Sequence, residues 1–220
     1  DFPLTISSFF QRAETLFPHK SIITRLPDKS IYRYTYKDFT LRTRKLGAGL
    51  AALGVGEGDR VATLCWNHYQ HLEVYFAVLC SGAILHALNL RLSPGDLSYI
   101  INHAEDKVLI VDQVLLPLLE KFKGEIKVRH IVVVPNGNGP VPDGFLNYED
   151  IIASGNEKDF RLYEGDENAA ASLCYTSGTT GQPKGVLYSH RSIVLHAMAI
   201  CFSFGEAFRE NDVVLPVVPM

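Results

Sequence analysis

The run YTSGTTGQPKGVLYSH, from Tyr175 to His190, gathers the residue types that bind a polyanion. Thr176, Ser177, Thr179 and Thr180 add hydroxyl donors beside the backbone N–H groups. Gly178, Gly181 and Gly185 can take positive φ and let the chain pass close to a ligand. Lys184 stands at the exit of the run. Such a concavity suits a group with several anionic oxygens, which points to a phosphate chain. The spacing is not that of the Walker pattern G-x-x-x-x-G-K-[ST]: counted from Gly178, Pro183 falls where the second glycine belongs, and Gly185 follows the lysine. The competing reading is a plain Ser/Thr/Gly hairpin loop between two strands.

Other side chains could do chemistry and are weighed against plainer roles. His68 and His71 form H-x-x-H with Glu73 following, a spacing that suggests a metal. No third ligand is evident and zinc takes three or four, so capping and packing are the expected roles. His190 follows Ser189 at the end of the strand that leaves the loop, where it either orients the loop or caps a helix over 191–204. Ser177 lacks the G-x-S-x-G surroundings of a hydrolase nucleophile. Arg42, Arg44 and Lys45 read as one solvated helix face.

Composition bounds the rest. The chain has 220 residues, 47% hydrophobic and 20% charged, enough for one large or two small globular domains. A formal charge of -3 offers no basic face for nucleic acid, and 10% aromatic content argues against disorder. No apolar run approaches a membrane span. The sequence opens at Asp1 without a signal peptide. Cys65, Cys80, Cys174 and Cys201 sit in apolar stretches without C-x-x-C spacing, so buried free thiols in a reducing compartment are expected. The final DVVLPVVPM reads as a strand-like run that stops without a turn or polar tail, so the chain reads as part of something longer.

The elements that must position the loop follow from periodicity. Ile6, Phe9, Phe10, Ala13, Leu16 and Phe17 recur at helical spacing before Pro18. SIITRL and IYRYTY predict a hairpin about Pro27–Ser30, and Tyr36 to Leu53 a long helix ended by Gly54. Strands VATLCW, AILHALN, KVLIVD and VRHIVVV alternate with helices from HLEVYFAVLCSG, from Ser93-Pro94 onward and from VLLPLLEKF. PNGNGPVPDG reads as a surface loop, and the strand AASLCY enters the phosphate run. Repeated β-α-β units predict an α/β fold with a largely parallel sheet.

YTSGTTGQPKGV resembles the signature loop of the adenylate-forming (AMP-binding) superfamily: acyl-CoA synthetases, luciferases and peptide-synthetase adenylation domains. The stretch from LGVGEGDRVATLCWNHYQHLEVYF to HAEDKVLIVD is similar to the N-terminal part of bacterial fatty-acyl-CoA synthetases, and VVLPVVPM resembles the start of their next motif. The resemblance implies the parallel-sheet α/β subdomains of that superfamily's N-terminal domain. A first subdomain would cover about 1–165, the strand, phosphate loop and start of the next motif about 166–220, and the small C-terminal domain is absent. It implies an acyl-CoA synthetase using ATP, Mg²⁺ and CoA. A fatty acid becomes acyl-AMP with release of pyrophosphate and is then transferred to CoA, the fragment alone being inactive. Thr176, Ser177, Gly178, Thr179, Thr180 and Gly181 would wrap the β- and γ-phosphates, Thr179 would sit near Mg²⁺, Lys184 would balance charge, and His190 would support the loop. Gln182 occupies a freely variable slot. The partners implied are small molecules, with no nucleic acid, no transmembrane segment and a homodimer left open; the location implied is cytoplasmic. Other adenylate-forming enzymes (a peptide-synthetase adenylation domain, a short-chain acid–CoA ligase, a luciferase-like enzyme) and a non-catalytic nucleotide-binding module stand as alternatives.

Overall fold

Capping chemistry sets many of the element boundaries in the computed structural model, which describes residues 2–176, 181–202 and 208–218. After α1 (Ser7–Leu16), the strands β1 (Ser21–Arg25) and β2 (Ile31–Thr35) form a separate antiparallel hairpin. Helix α2 (Tyr36–Ala52) starts with a capping box: the Thr35 hydroxyl accepts from the Asp38 N–H, and the Asp38 carboxylate accepts from the Thr35 N–H. Between β3 (Arg60–Leu64) and β4 (Ile84–Ala87) lies α3 (Tyr69–Leu79), whose N-cap is His68. Helix α4 (Pro94–His103) is capped by Ser93 with Pro94 in its first turn, where a missing N–H costs nothing.

The chain continues through β5 (Val108–Asp112), a short α5 (Leu116–Leu119), β6 (His130–Val134), β7 (Leu146–Asn147) and α6 (Tyr148–Ser154). It ends with β8 (Ala170–Thr176), β9 (Lys184–Ser189) and α7 (His190–Cys201). Among the described residues, seven strands make one sheet in the order β7-β6-β5-β3-β4-β8-β9. All neighbours run parallel except β8 and β9, which form an antiparallel hairpin. The expected α/β fold with a mainly parallel sheet is therefore observed.

The sheet is buried on both faces, as a parallel sheet must be. Alternation along β5 shows how: Val108 and Ile110 point into a core shared with α1, α2, α3 and α6. Leu109 and Val111 point into a second core with α4 and α5. Strand β9 is the exception. It is an edge strand, and Val186, Leu187 and Tyr188 are exposed.

Several expectations are corrected. Arg42 and Arg44 do not share a solvated face: two positions apart on a helix they diverge, and each is half-buried in an ion pair. Arg42 holds Glu73 of α3 (2.8 Å) and Glu149 of α6 (2.9 Å), while Arg44 holds Glu14 of α1 (2.7 Å). The four cysteines are free, but only Cys65 and Cys80 are buried; Cys174 is half-buried and Cys201 exposed on α7. Residues 212–218 form no strand, because no neighbouring strand among the described residues pairs with them. Asn67 Nδ2 instead donates to the carbonyls of Pro216 and Val218.

Candidate functional site

The phosphate run is carried by the β8–β9 hairpin. Register pairs Cys174 with Val186, Tyr175 with Gly185 and Thr176 with Lys184. The antiparallel ladder thus sets Thr176 and Lys184 opposite each other at the mouth of the loop. Both are exposed, and among the described residues the Lys184 ammonium has no ion-pair or hydrogen-bond partner. Ser177, Gly178, Thr179 and Thr180 lie outside the described residues. Gly181 takes φ +140°, a backbone region that side chains disfavour, with nothing among the described residues within 4 Å of a Cβ there. Gly185 differs from the expectation of positive φ. It lies in β9, and a Cβ would come 3.1 Å from Leu173 Cδ1 and 3.3 Å from Tyr175 Cζ. Its lack of a side chain makes room for the tyrosine ring.

Beneath the hairpin lies a set of polar residues that spacing in the sequence does not reveal. Tyr175 Oη is 2.6 Å from Nδ1 of His103, the last residue of α4. The Tyr175 ring also meets the His86 ring at 5.2 Å. His86 is fully buried on β4 and its Nδ1 lies 2.7 Å from the Asp106 carboxylate. Burial pushes the Asp106 carboxyl above its ordinary range, against the pull of His86. His86 and Asp106 are 20 positions apart, and only the parallel pairing of β3 with both β4 and β5 brings their elements together.

His190 begins α7, but the cap is Ser189, whose hydroxyl accepts from the Ser192 N–H. The His190 ring is buried and stacks on Tyr163 at 4.8 Å, and its Nδ1 accepts from the Ile6 N–H at 3.5 Å. Desolvation lowers its pKa. Glu167 closes the same corner: it accepts from the Leu4 N–H at 2.6 Å and pairs with Arg191. The exit of the hairpin is thereby fixed to the start of the chain.

A second polar cluster sits at the C-terminal ends of β3 and β5, where the strand order reverses. Ligands of open α/β sheets favour such crevices. His68 Nδ1 accepts from the His71 N–H, so Nε2 carries the proton and donates to Asp112 Oδ1 at 2.8 Å. The other Asp112 oxygen accepts from the Trp66 N–H at 2.8 Å. His71 Nδ1 donates to the Trp66 carbonyl and its Nε2 accepts from the Thr63 hydroxyl. Burial and the neighbouring His68 lower the His71 pKa to about 4. Cys65, His68 and Asp112 bring three potential ligand atoms within 4.8 Å of one another. The Cys65 thiol donates to the Ile110 carbonyl (3.6 Å), and burial raises its pKa well above the ordinary value. Glu73 belongs elsewhere, between Arg42 and the Tyr148 hydroxyl (2.7 Å). His68 caps α3 and His71 braces the Trp66 carbonyl and the Thr63 hydroxyl, the capping and packing roles expected of the motif. The further potential ligands beside His68 are Cys65 and Asp112, which its spacing did not reveal.

No helix among the described residues is long and apolar enough to cross a membrane. Residues 10–220 match the family model described as AMP-binding enzyme. A long-chain-fatty-acid–CoA ligase of Thermus thermophilus is 51% identical over 100% of this chain and 40% of its own length. A medium-chain-fatty-acid–CoA ligase of Ectopseudomonas oleovorans is 40% identical over 99% of the chain and 40% of its own. The chain thus spans about two-fifths of the length of these relatives. Among solved structures, anthranilate CoA ligase AuaEII with anthranoyl-AMP superposes with a TM-score of 0.80 at 29% identity, covering 90% of this chain and 37% of that one. With its signature hairpin on a matching sheet, and with a match that runs from residue 10 to residue 220, the chain belongs to the AMP-binding enzyme family.

Proposed function

We propose that the enzyme carrying this chain is a fatty acid–CoA ligase, and that the β8–β9 hairpin holds the polyphosphate of ATP. The observation that supports the reading is the register of Thr176 with Lys184, which sets a hydroxyl opposite a cation that has no partner among the described residues, at the mouth of the loop. In the first step the fatty-acid carboxylate attacks the α-phosphorus, a carboxyl oxygen–phosphorus bond forms, and pyrophosphate leaves. In the second, the CoA thiolate attacks the acyl carbon and AMP leaves. An anion approaching a polyanion meets an electrostatic barrier, which Lys184 at the β- and γ-phosphates would lower. Backbone N–H groups of the glycine-rich run are proposed as further donors. Mg²⁺ would neutralise phosphate charge when bound, and the Thr179 hydroxyl, outside the described residues, is proposed as its ligand on the family resemblance of the run.

A cytoplasmic location goes with this reading, supported by four free cysteines. The acid is proposed to be medium- or long-chain, supported by the two fatty-acid ligases; a relative 41% identical is a 3-methylmercaptopropionyl-CoA ligase, which makes short sulfur acids the rival. Thioester formation by the full-length enzyme against acids of graded chain length tests this. Rates rising toward eight or more carbons are expected, and a preference for amino acids or for methylthiopropionate overturns it. The resemblance implies groups that bind adenine and ribose and a lysine on the C-terminal domain, and these are proposed to lie outside the 220 residues. This chain alone should therefore catalyse no ATP–pyrophosphate exchange, and measurable exchange would refute that part.

A further inference from the structure

We propose that Tyr175 is a positioning residue for the phosphate loop, tethering the projecting end of the β8–β9 ribbon to the sheet through His103 and the buried His86–Asp106 pair. The inference rests on the reading of that loop as the ATP site. Strand β8 pairs with β4 only at Leu85↔Ser172 and His86↔Leu173. Beyond Leu173 it loses that neighbour, and among the described residues the backbone of Cys174, Tyr175 and Thr176 is paired with β9 alone. A two-stranded ribbon is marginal by itself in water. The Tyr175 side chain is what reaches back. Its hydroxyl meets His103 Nδ1 at 2.6 Å, and its ring sits edge-on to that imidazole at 5.8 Å.

Both partners are themselves fixed. His103 stacks on Tyr99 one turn earlier in α4, with ring centroids 5.4 Å apart. His86 lies against the tyrosine ring, anchored by Asp106 at 2.7 Å. The tyrosine thus joins β4, the end of α4 and the segment before β5 to a strand whose next residue is Thr176. Gly185 completes the arrangement by leaving the space that the ring fills. A displaced ribbon shifts Thr176 and Lys184 together, so the tether acts on ATP affinity and not on the chemistry that follows pyrophosphate release.

The test uses the full-length enzyme and ATP–pyrophosphate exchange. Tyr175→Phe keeps the ring and loses the hydroxyl; KM for ATP should rise about three- to tenfold, the worth of one hydrogen bond, with kcat within twofold. His103→Leu should match it, the double variant should be no worse than either single, and His103→Gln should recover much of the loss. The thioester step from pre-made acyl-adenylate should be unchanged. An unaltered KM in both single variants, or additive losses in the double, overturns the tether. Hydrogen exchange supplies an arm that needs no activity. In Tyr175→Phe the Val186 and Lys184 amides should exchange several-fold faster while those of β5 stay the same, and equal rates overturn the tether. A wild type without exchange activity but with this change in protection would sink the ATP reading and leave the tether standing.

Discussion

The ring of Tyr175 lies across the antiparallel ladder from Gly185, so close that a Cβ on the glycine would come 3.3 Å from Tyr175 Cζ. One residue of the signature run is thus small because its neighbour is large. Gly185→Val should force Leu173 and Tyr175 aside and lower stability by about 1–3 kcal/mol, the usual cost of overpacking. Thermal or urea unfolding of the variant measures it, and an unchanged midpoint would show that the ring moves freely.

Arg42 bridges Glu73 and Glu149, tying α2 to α3 and α6, and Glu73 is completely buried. Burial pushes the Glu73 carboxyl above its usual range despite the guanidinium. Arg42→Ala leaves that carboxyl without its cation and should cost about 3–5 kcal/mol. Glu73→Gln, which removes the buried charge, should cost less. Denaturant titration of both distinguishes them; equal losses would mean that the charge itself is irrelevant.

His71 is nearly enclosed, and its pKa lies near 4 against an unfolded value of about 6.5. The unfolded chain therefore binds more protons between these values. The stability tied to this group is present above about pH 6.5 and is lost as pH falls through about 4, by about 3 kcal/mol in all. His190 acts in the same direction. Unfolding free energy measured from pH 7 to pH 4 should fall more steeply in the wild type than in His71→Gln. Parallel curves would contradict the assignment.

The fold was largely legible because its signals are local. Ser93-Pro94 announces its helix, Gly54 the end of the long one, and the alternating strands and helices of 60–134 announce a parallel sheet. Strand β7, two residues long, carries no periodicity and was missed. The Arg42 and Arg44 pairs were also missed, because their partners are 31, 107 and 30 positions away. At the site, the run from Thr176 to Lys184 stood out by composition. His86, His103 and Asp106 did not, since only the parallel register gathers them under Tyr175. The strand-like 212–218 shows the limit of pattern: apolar residues make a strand only when another strand takes their hydrogen bonds.

Gly181 adopts φ +140° with nothing among the described residues within 4 Å of a Cβ, so the cost of a side chain there is argued from the backbone conformation. Gly181→Val should lower ATP-dependent activity at least as much as losing the nearby lysine, with little change in unfolding midpoint. Full activity in that variant would show that the loop does not need the glycine backbone.

The Lys184→Ala variant of the full-length enzyme, assayed in both half-reactions, tests the central claim most directly. One charge-assisted contact is worth about 1.5–3 kcal/mol, so adenylate formation should fall between roughly tenfold and a few hundredfold. The thioester step, started from pre-made acyl-adenylate and CoA, should change little, because the polyphosphate has already left. If both half-reactions fell together, or neither changed, Lys184 would not be a phosphate ligand and the hairpin loop would be only a loop.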